Sequence, residues 1–439
     1  MLHTEFGQKG KEVKASLGVI GSGIIGLCTA LEAQRNGYRV TLFDRDEPGL
    51  GASFGNAGFL ATELIEPLST PKTLRSALTL WLNPNGPLSL PLQYLINIAP
   101  WLVKFIKAAK PESLASSRHG LIQLNQNSIG AWQRCLDDIG ASEQIVKSGY
   151  LLVWESSSKL DEALKQQRWL SENGIVTELV QGERLVELEP ALKETVSHAL
   201  HFPEACRVRE PYELCKLLFS SFMARGGTFI QEEVKQITPG TGQSSLKAGS
   251  KIESQIEVKT GTETEPYSFE KVIVCAGAWS KKLLEGVGLH VPLEAERGYH
   301  LTIPEAGVML NHSIGSAERK FVMGPLDSGL RVVGITQLGG LKLGPFKHCF
   351  NILRHNSYKL LPELNNPSLN ITEWMGHRPT LPDSLPVIDR HPQCPQLLFS
   401  FGNQHLGLTH AALAAELVIQ LMQNSTTKMD LSPYRVNRF

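Results

Sequence analysis

Three glycines stand in the run Gly21-Ser22-Gly23-Ile24-Ile25-Gly26. The spacing suits a doubly negative pyrophosphate that must come close to the backbone. Gly21 permits a tight turn, Gly23 removes the side chain that would block the phosphates, and Gly26 lets a helix pack closely on a strand. A helix starting there adds free N–H groups and the positive end of its dipole, about 0.3–1 kcal/mol per contact. Asp44 lies 21 residues beyond Gly23, at the end of an alternating segment, where a carboxylate accepts hydrogen bonds from a ribose diol. The glycine motif alone is a weak signal; a strand before it and an acid after it make it a dinucleotide site.

Two further glycine-dense segments bear on which dinucleotide. Gly51-Ala-Ser53-Phe-Gly55-Asn56-Ala57-Gly58 follows the first unit directly. Ser53 and Asn56 could contact phosphate and ribityl oxygens, while Gly55 and Gly58 let backbone approach a flavin ring. Taken alone, the loop reads equally well as a turn-rich connection. Near the other end, Gly402-Asn403-Gln404-His405-Leu406-Gly407-Leu408-Thr409 again ends a strand in glycine and begins a helix. A helix dipole aimed at a flavin pyrimidine would stabilise the negative charge formed on reduction. Between them, Arg378 is flanked by Gly376 and Pro379. Its rigid fork suits a carboxylate in two-point contact, although a lone arginine is more often an ion-pair partner.

The elements that must position these groups are legible as periodicity. Leu17–Ile20 is a short apolar strand, Leu27, Ala30, Leu31 and Ala33 form a helical stripe, and Tyr38–Phe43 alternates, which makes one βαβ unit. Helical patterns with proline breaks run from about 69 to 139, and strands are expected at 149–154, 298–303, 319–324, 330–336 and 397–401. A hairpin-like polar pair covers 234–269 around an exposed loop at 239–254. The length of 439 residues implies two domains, and the order of elements interleaves them. A Rossmann-type α/β nucleotide domain is expected from 15–90, 205–290 and 375–425. A mixed or antiparallel-sheet substrate domain is expected from 91–204 and 291–374, with 1–14 and 426–439 as terminal extensions.

Formal net charge is zero, which offers no whole-molecule attraction to nucleic acid. Seven scattered cysteines without a C-x-x-C pair suit reduced thiols in a cytosolic protein and no metal site. The first sixteen residues lack the apolar core of a signal peptide. Residues 88–107 are apolar, carry Trp101 and Phe105, and end with Lys104, Lys107 and, just beyond, Lys110. They read either as helix packed on the protein, broken by Pro91 and Pro100, or as a segment lying in a membrane interface.

With these blocks in place, and with Val272-Ile-Val-Cys275-Ala276-Gly277-Ala-Trp279 added, the chain resembles the D-amino-acid oxidase/dehydrogenase family of flavoproteins over about residues 16–424. The resemblance implies FAD as cofactor, an FAD domain covered by a sheet domain, and Arg378 paired with a substrate carboxylate. Arg45, Val234, Ala276, Gly277, Trp279 and Gly376 join the expected cofactor contacts. The segment Glu296-Arg-Gly-Tyr299-His300-Leu is similar to the bacterial dehydrogenase branch acting on D-hydroxyproline and related cyclic amines, which would turn Tyr299 and His300 toward substrate. The cysteine and histidine patterns that attach flavin covalently in relatives are missing here, which implies noncovalent FAD.

The chemistry expected is hydride removal from the α-carbon of a D-amino acid or secondary amine, with His405 positioning ring or substrate and no protein base assigned. Sarcosine- or glycine-type amine oxidation is the near alternative. A flavin-dependent tRNA-modifying enzyme and a non-catalytic flavoprotein subunit are alternatives of other classes. The electron acceptor expected is oxygen, a quinone or an electron-transfer protein. The expected location is the cytoplasm, either free or peripheral on the inner membrane.

Overall fold

The structure is a computed structural model, and it describes residues 14–240, 255–263, 265–427 and 429–439. Residues 1–13 and most of the expected 239–254 loop lie outside that range.

Leu17, Val19 and Ile20 are apolar on both faces of their strand, which only a central position in a covered sheet can satisfy. Ser16–Ile20 accordingly sits between Arg39–Asp44 and Lys271–Val274, parallel to both. The six-stranded sheet runs in the order Thr228–Gln231, Arg39–Asp44, Ser16–Ile20, Lys271–Val274, Cys394–Phe401, Val387–His391. Only the last pair is antiparallel. The helix Ile24–Arg35 packs on Pro211–Ala224 and on the closing helix Gly407–Met422. The segment Gln404–Met422 is apolar and long enough to cross a bilayer, but most of it is buried in this core.

The second sheet has nine strands and is mixed. At one edge Thr372–Thr380 lies beside Glu294–Ile303, and that strand beside Gly329–Leu338, all antiparallel. All ten residues of Glu294–Ile303 are buried. Opposite Gly298 and Tyr299 the register slips by one, leaving Ile335 as an extra residue with a left-handed φ of 60°. For a β-branched side chain that is a strained backbone.

Several expectations need correction. Leu88–Ser89 pairs with Gly329–Leu338, so the first segment of the FAD domain cannot run to 90 as one piece. Thr372–Thr380 belongs whole to the second sheet, which moves Gly376 and Arg378 out of the expected FAD domain and onto that second sheet. The last residues, expected as a terminal extension, pack into the fold: Tyr434 is fully buried and donates to the Gly120 carbonyl at 2.9 Å, and Arg438 pairs with Asp383. Pro100 does not break a helix; it sits inside Leu95–Ala108. The polar pair at 234–269 is a three-stranded antiparallel unit, Val234–Thr238, Ile256–Thr260 and Tyr267–Phe269.

Candidate active site

One cavity of about 1530 Å³ runs between the two sheets and under the helices Pro71–Leu82 and Leu95–Ala108. At one end it meets the first glycine turn. A side-chain carbon on Gly26 would fall 1.7 Å from the Gly21 carbonyl oxygen, and one on Gly21 would fall 2.4 Å from the Cys275 carbonyl. Both glycines are therefore demanded by helix–strand packing. Gly23 is different: its only near neighbour would be Ser53 Oγ at 3.3 Å, and it faces the cavity. Ser53 Oγ accepts from the Ile24 N–H at 2.9 Å, capping the helix from the neighbouring loop. Asp44 Oδ2 accepts from Ser22 N at 2.6 Å and Ser22 Oγ at 2.9 Å, which ties the acid to the glycine turn. Arg45 lies over the Trp279 ring at 4.0 Å, a cation–π contact on the cavity wall.

The loop after it is clamped from the second sheet. Arg331 Nη1 donates to the Phe54 and Asn56 carbonyls at 3.0 and 3.1 Å, and Asn56 Oδ1 accepts from Gly58 N at 2.8 Å. Gly55 and Gly376 both lie against Trp374; a side-chain carbon on either would meet the indole at 1.8 and 1.9 Å. His300 stacks behind that indole, centroids 4.9 Å apart, with Nδ1 donating to the Gly55 carbonyl. Burial, with Arg331 adding to it, holds the His300 imidazole down to about 3, so it is neutral.

At the second glycine turn, Gly402 and Gln404 take left-handed φ values of 90° and 51° to turn the strand into the closing helix. Three polar groups on this wall have buried atoms without a protein partner: both amide atoms of Asn403, Ser400 Oγ and His377 Nε2. Buried orphans of this kind are costly unless a ligand completes them. His405 lines the same wall and is held down to about 4, mainly by burial, with Glu296 opposing and Arg378 reinforcing the shift.

Arg378 stands directly across the strand pair from Glu296. Its Nη1 lies 2.8 Å from Glu296 Oε1 and 3.5 Å from the carbonyl of the strained Ile335. Its Nε and Nη2 lie flat over Gly298, within 2.6 Å of where a side-chain carbon would be. Glu296 is itself held by Thr336 and Thr380 hydroxyls.

The cavity brings together Gly21, Gly23, Ile24, Ile25, Asp44, Arg45, Ser53, Asn56, Ala57, Val234, Ala276, Gly277, Trp279, Gly376, Arg378, Gly402, Asn403, His405, Gly407 and Leu408. It does not include Ser22, Gly26, Gly58, Leu406 or Thr409, which serve the packing around it. Thr409 Oγ1, for example, accepts from Ala61 N at 3.0 Å. Tyr299 was expected to face substrate and does not. It is fully buried on the other side of the sheet, donating to Gln337 at 2.6 Å and accepting from Phe346 N. His300 supports Trp374 and does not line the cavity.

Sequence reasoning missed Glu296 as the partner of Arg378, 82 residues away. It also missed Glu63, a cavity carboxyl pushed up to about 8 by burial, for which an isolated acid in a loop carries no signal.

A family model described as DAO, FAD dependent oxidoreductase, matches residues 16–421. The chain is 30% identical over 428 residues to a D-amino-acid oxidase of Bradyrhizobium diazoefficiens, covering 96% of this chain and 98% of that protein. Among solved structures, glycine oxidase from Geobacillus kaustophilus superposes with a TM-score of 0.74 at 18% identity, covering 97% of this chain and 99% of that one. L-proline dehydrogenase from P. horikoshii gives 0.71 at 19% identity, covering 97% and 98%. With a nucleotide-type helix start and orphaned polar atoms both lining the cavity, and a family match over nearly its whole length, the chain belongs to the DAO family of FAD-dependent oxidoreductases.

Proposed function

We propose that this chain oxidises the Cα–N bond of a D-amino acid or a related cyclic secondary amine, releasing an imino acid that hydrolyses in water. Arg378 carries the reading. It is the guanidinium fixed by Glu296 in the cavity wall, and its remaining donors lie flat over Gly298. That geometry suits two-point capture of a carboxylate. The D-configuration is supported by the name of the Bradyrhizobium relative.

Bound FAD supplies the hydride-accepting chemistry. The chain's own part is to hold and to exclude. Asn403, Ser400 and His377 offer their unpaired atoms to the cofactor, and we read it as held noncovalently. Trp374, backed by His300, presents a flat apolar wall that limits water. His405, neutral at pH 7, brings no second positive charge to compete with Arg378 for the carboxylate. Positioning in a dry site is what this chemistry asks of a protein.

The test is anaerobic bleaching of the FAD-loaded protein by a panel of D-amino acids, D-proline, hydroxyproline isomers, sarcosine and glycine, with L-amino acids as controls. Bleaching by D-forms is expected. With the best substrate and a dye acceptor, Arg378→Ala should lower kcat/KM by about 2–4 kcal/mol, on the order of 30–1000-fold. Unchanged kcat/KM removes Arg378 from the reading, and no bleaching by any member of the panel removes the reading itself.

A further inference from the structure

The roof of the cavity is built unlike the rest of the surface. Pro71–Leu82 has no buried residue at all, and Leu95–Ala108 buries only Ile98, Trp101 and Ala108. Their outward faces and the turn before the second helix carry Leu78, Leu82, Leu92, Ile96, Val103 and Ile106, with Ile96 89% exposed and Leu92 72%. On Leu95–Ala108 the exposed positions are Ile96, Asn97, Ala99, Pro100, Val103, Ile106 and Lys107, and five of these seven are apolar and recur at helical spacing, so the water-facing stripe is mainly apolar. A helix covering a cavity in water should show the reverse pattern.

Charge on this segment is equally one-sided. From Pro67 to Pro111 no Asp or Glu occurs, while Lys72, Arg75, Lys104, Lys107 and Lys110 do, in a chain whose acids and bases are equal in number. Lys72 has Glu162 at 3.9 Å, but self-pairing through a two-fold axis would set Lys104, Lys107 and Lys110 against their own copies with no acid from this segment between them. An anionic, apolar-cored partner complements both features, and a phospholipid surface is that partner.

We propose that the two roof helices and the turn between them dock this protein onto an anionic bilayer, apolar side chains entering the interface and lysines meeting the headgroups. Leu78 and Ile106 are both exposed and part of the cavity lining, so the cavity mouth then opens toward lipid. Apolar electron acceptors dissolved in the bilayer would enter without crossing water. The docking goes beyond the proposed reaction and depends on it only for the meaning of that opening.

The test is vesicle flotation of the full-length, FAD-loaded protein, with dye-coupled turnover read on the same samples. Vesicles of phosphatidylcholine with roughly one-third phosphatidylglycerol should carry the protein up at low salt, at least about tenfold more strongly than phosphatidylcholine alone. About 0.5 M NaCl should weaken that binding. Ile96→Glu combined with Val103→Glu, neither of which lines the cavity, should abolish flotation while FAD content, Tm and turnover stay at wild-type values. Wild-type protein left at the bottom with anionic vesicles overturns the proposal. So does flotation of the double variant equal to wild type, or a wild-type dimer that the double variant splits, which would make the face a self-interface. Failed flotation with normal turnover sinks the docking alone; absent turnover sinks the reaction instead.

Discussion

The two glycine-lined helix starts that border the cavity are built on different terms. At the start of Ile24–Arg35 the protein satisfies itself: Gly26 closes on the Gly21 carbonyl, Ser53 caps Ile24, and Ser22 occupies Asp44. At the start of Gly407–Met422 it does not. Both amide atoms of Asn403 are buried and unpaired, and a side-chain carbon on Gly407 would meet nothing closer than Asn403 Cβ at 4.0 Å. The first start is a packing solution that leaves room for phosphates. The second holds polar groups in reserve, which makes it the end where ligand and protein energetics are coupled.

The sharpest way to break this comparison is with one added carbon at each end. Gly26→Val should cost well over the usual overpacking penalty of about 1–3 kcal/mol, because backbone blocks it, and yield insoluble or colourless protein. Gly407→Ala should fold with a wild-type Tm and lose FAD affinity, since its methyl enters the cavity. If both variants fold equally well, the contrast is wrong. A smaller effect is expected at Asn403. Asn403→Leu should weaken FAD by about 1–3 kcal/mol, roughly 5–150-fold by equilibrium titration, and leave the Tm of the FAD-free protein unchanged. A fall in that Tm would show instead that Asn403 is already paired within the fold.

The effect that vanishes at neutral pH is in pH dependence. His410, one turn into the closing helix, is held down to about 3, chiefly by burial and further by His405, while its unfolded value is about 6.5. Above that value the imidazole is neutral in both states and contributes nothing. As pH falls through about 6.5 the unfolded chain takes the proton first, so stability is lost progressively down to about 3, by at most about 1.4 kcal/mol per pH unit. His410→Gln should flatten the acid limb of a urea-midpoint-versus-pH curve by up to that slope. An unaltered limb means that His410 does not titrate as its burial implies.

Much of the fold was readable because its signals are local. The Gly21–Gly26 turn, its strands and Asp44 lie within one short stretch, and each glycine is explained by neighbours in the same unit or the strand beside it. Tyr299 shows where this stops. Alternation says that Gly298 and Tyr299 face opposite sides of a sheet but not which side is the cavity. Pairing with Gly329–Leu338, including the slip that leaves Ile335 unmatched, placed Gly298 on the cavity and Tyr299 in the core.

The same division holds for charge. Arg378 stood out by its Gly and Pro neighbours, yet its geometry depends on Glu296, which meets it only when two distant strands come into register. The apolar 88–107 segment was visible as composition, but which side chains face water followed from how the roof helices lie over the cavity. Residue order along the chain was enough for backbone turns, helix starts and the family, since these rest on contacts between near neighbours. The facing of each side chain, the partner of each charge and the exposed face of each helix rest on contacts between residues far apart, and those exist only once the sheets have paired.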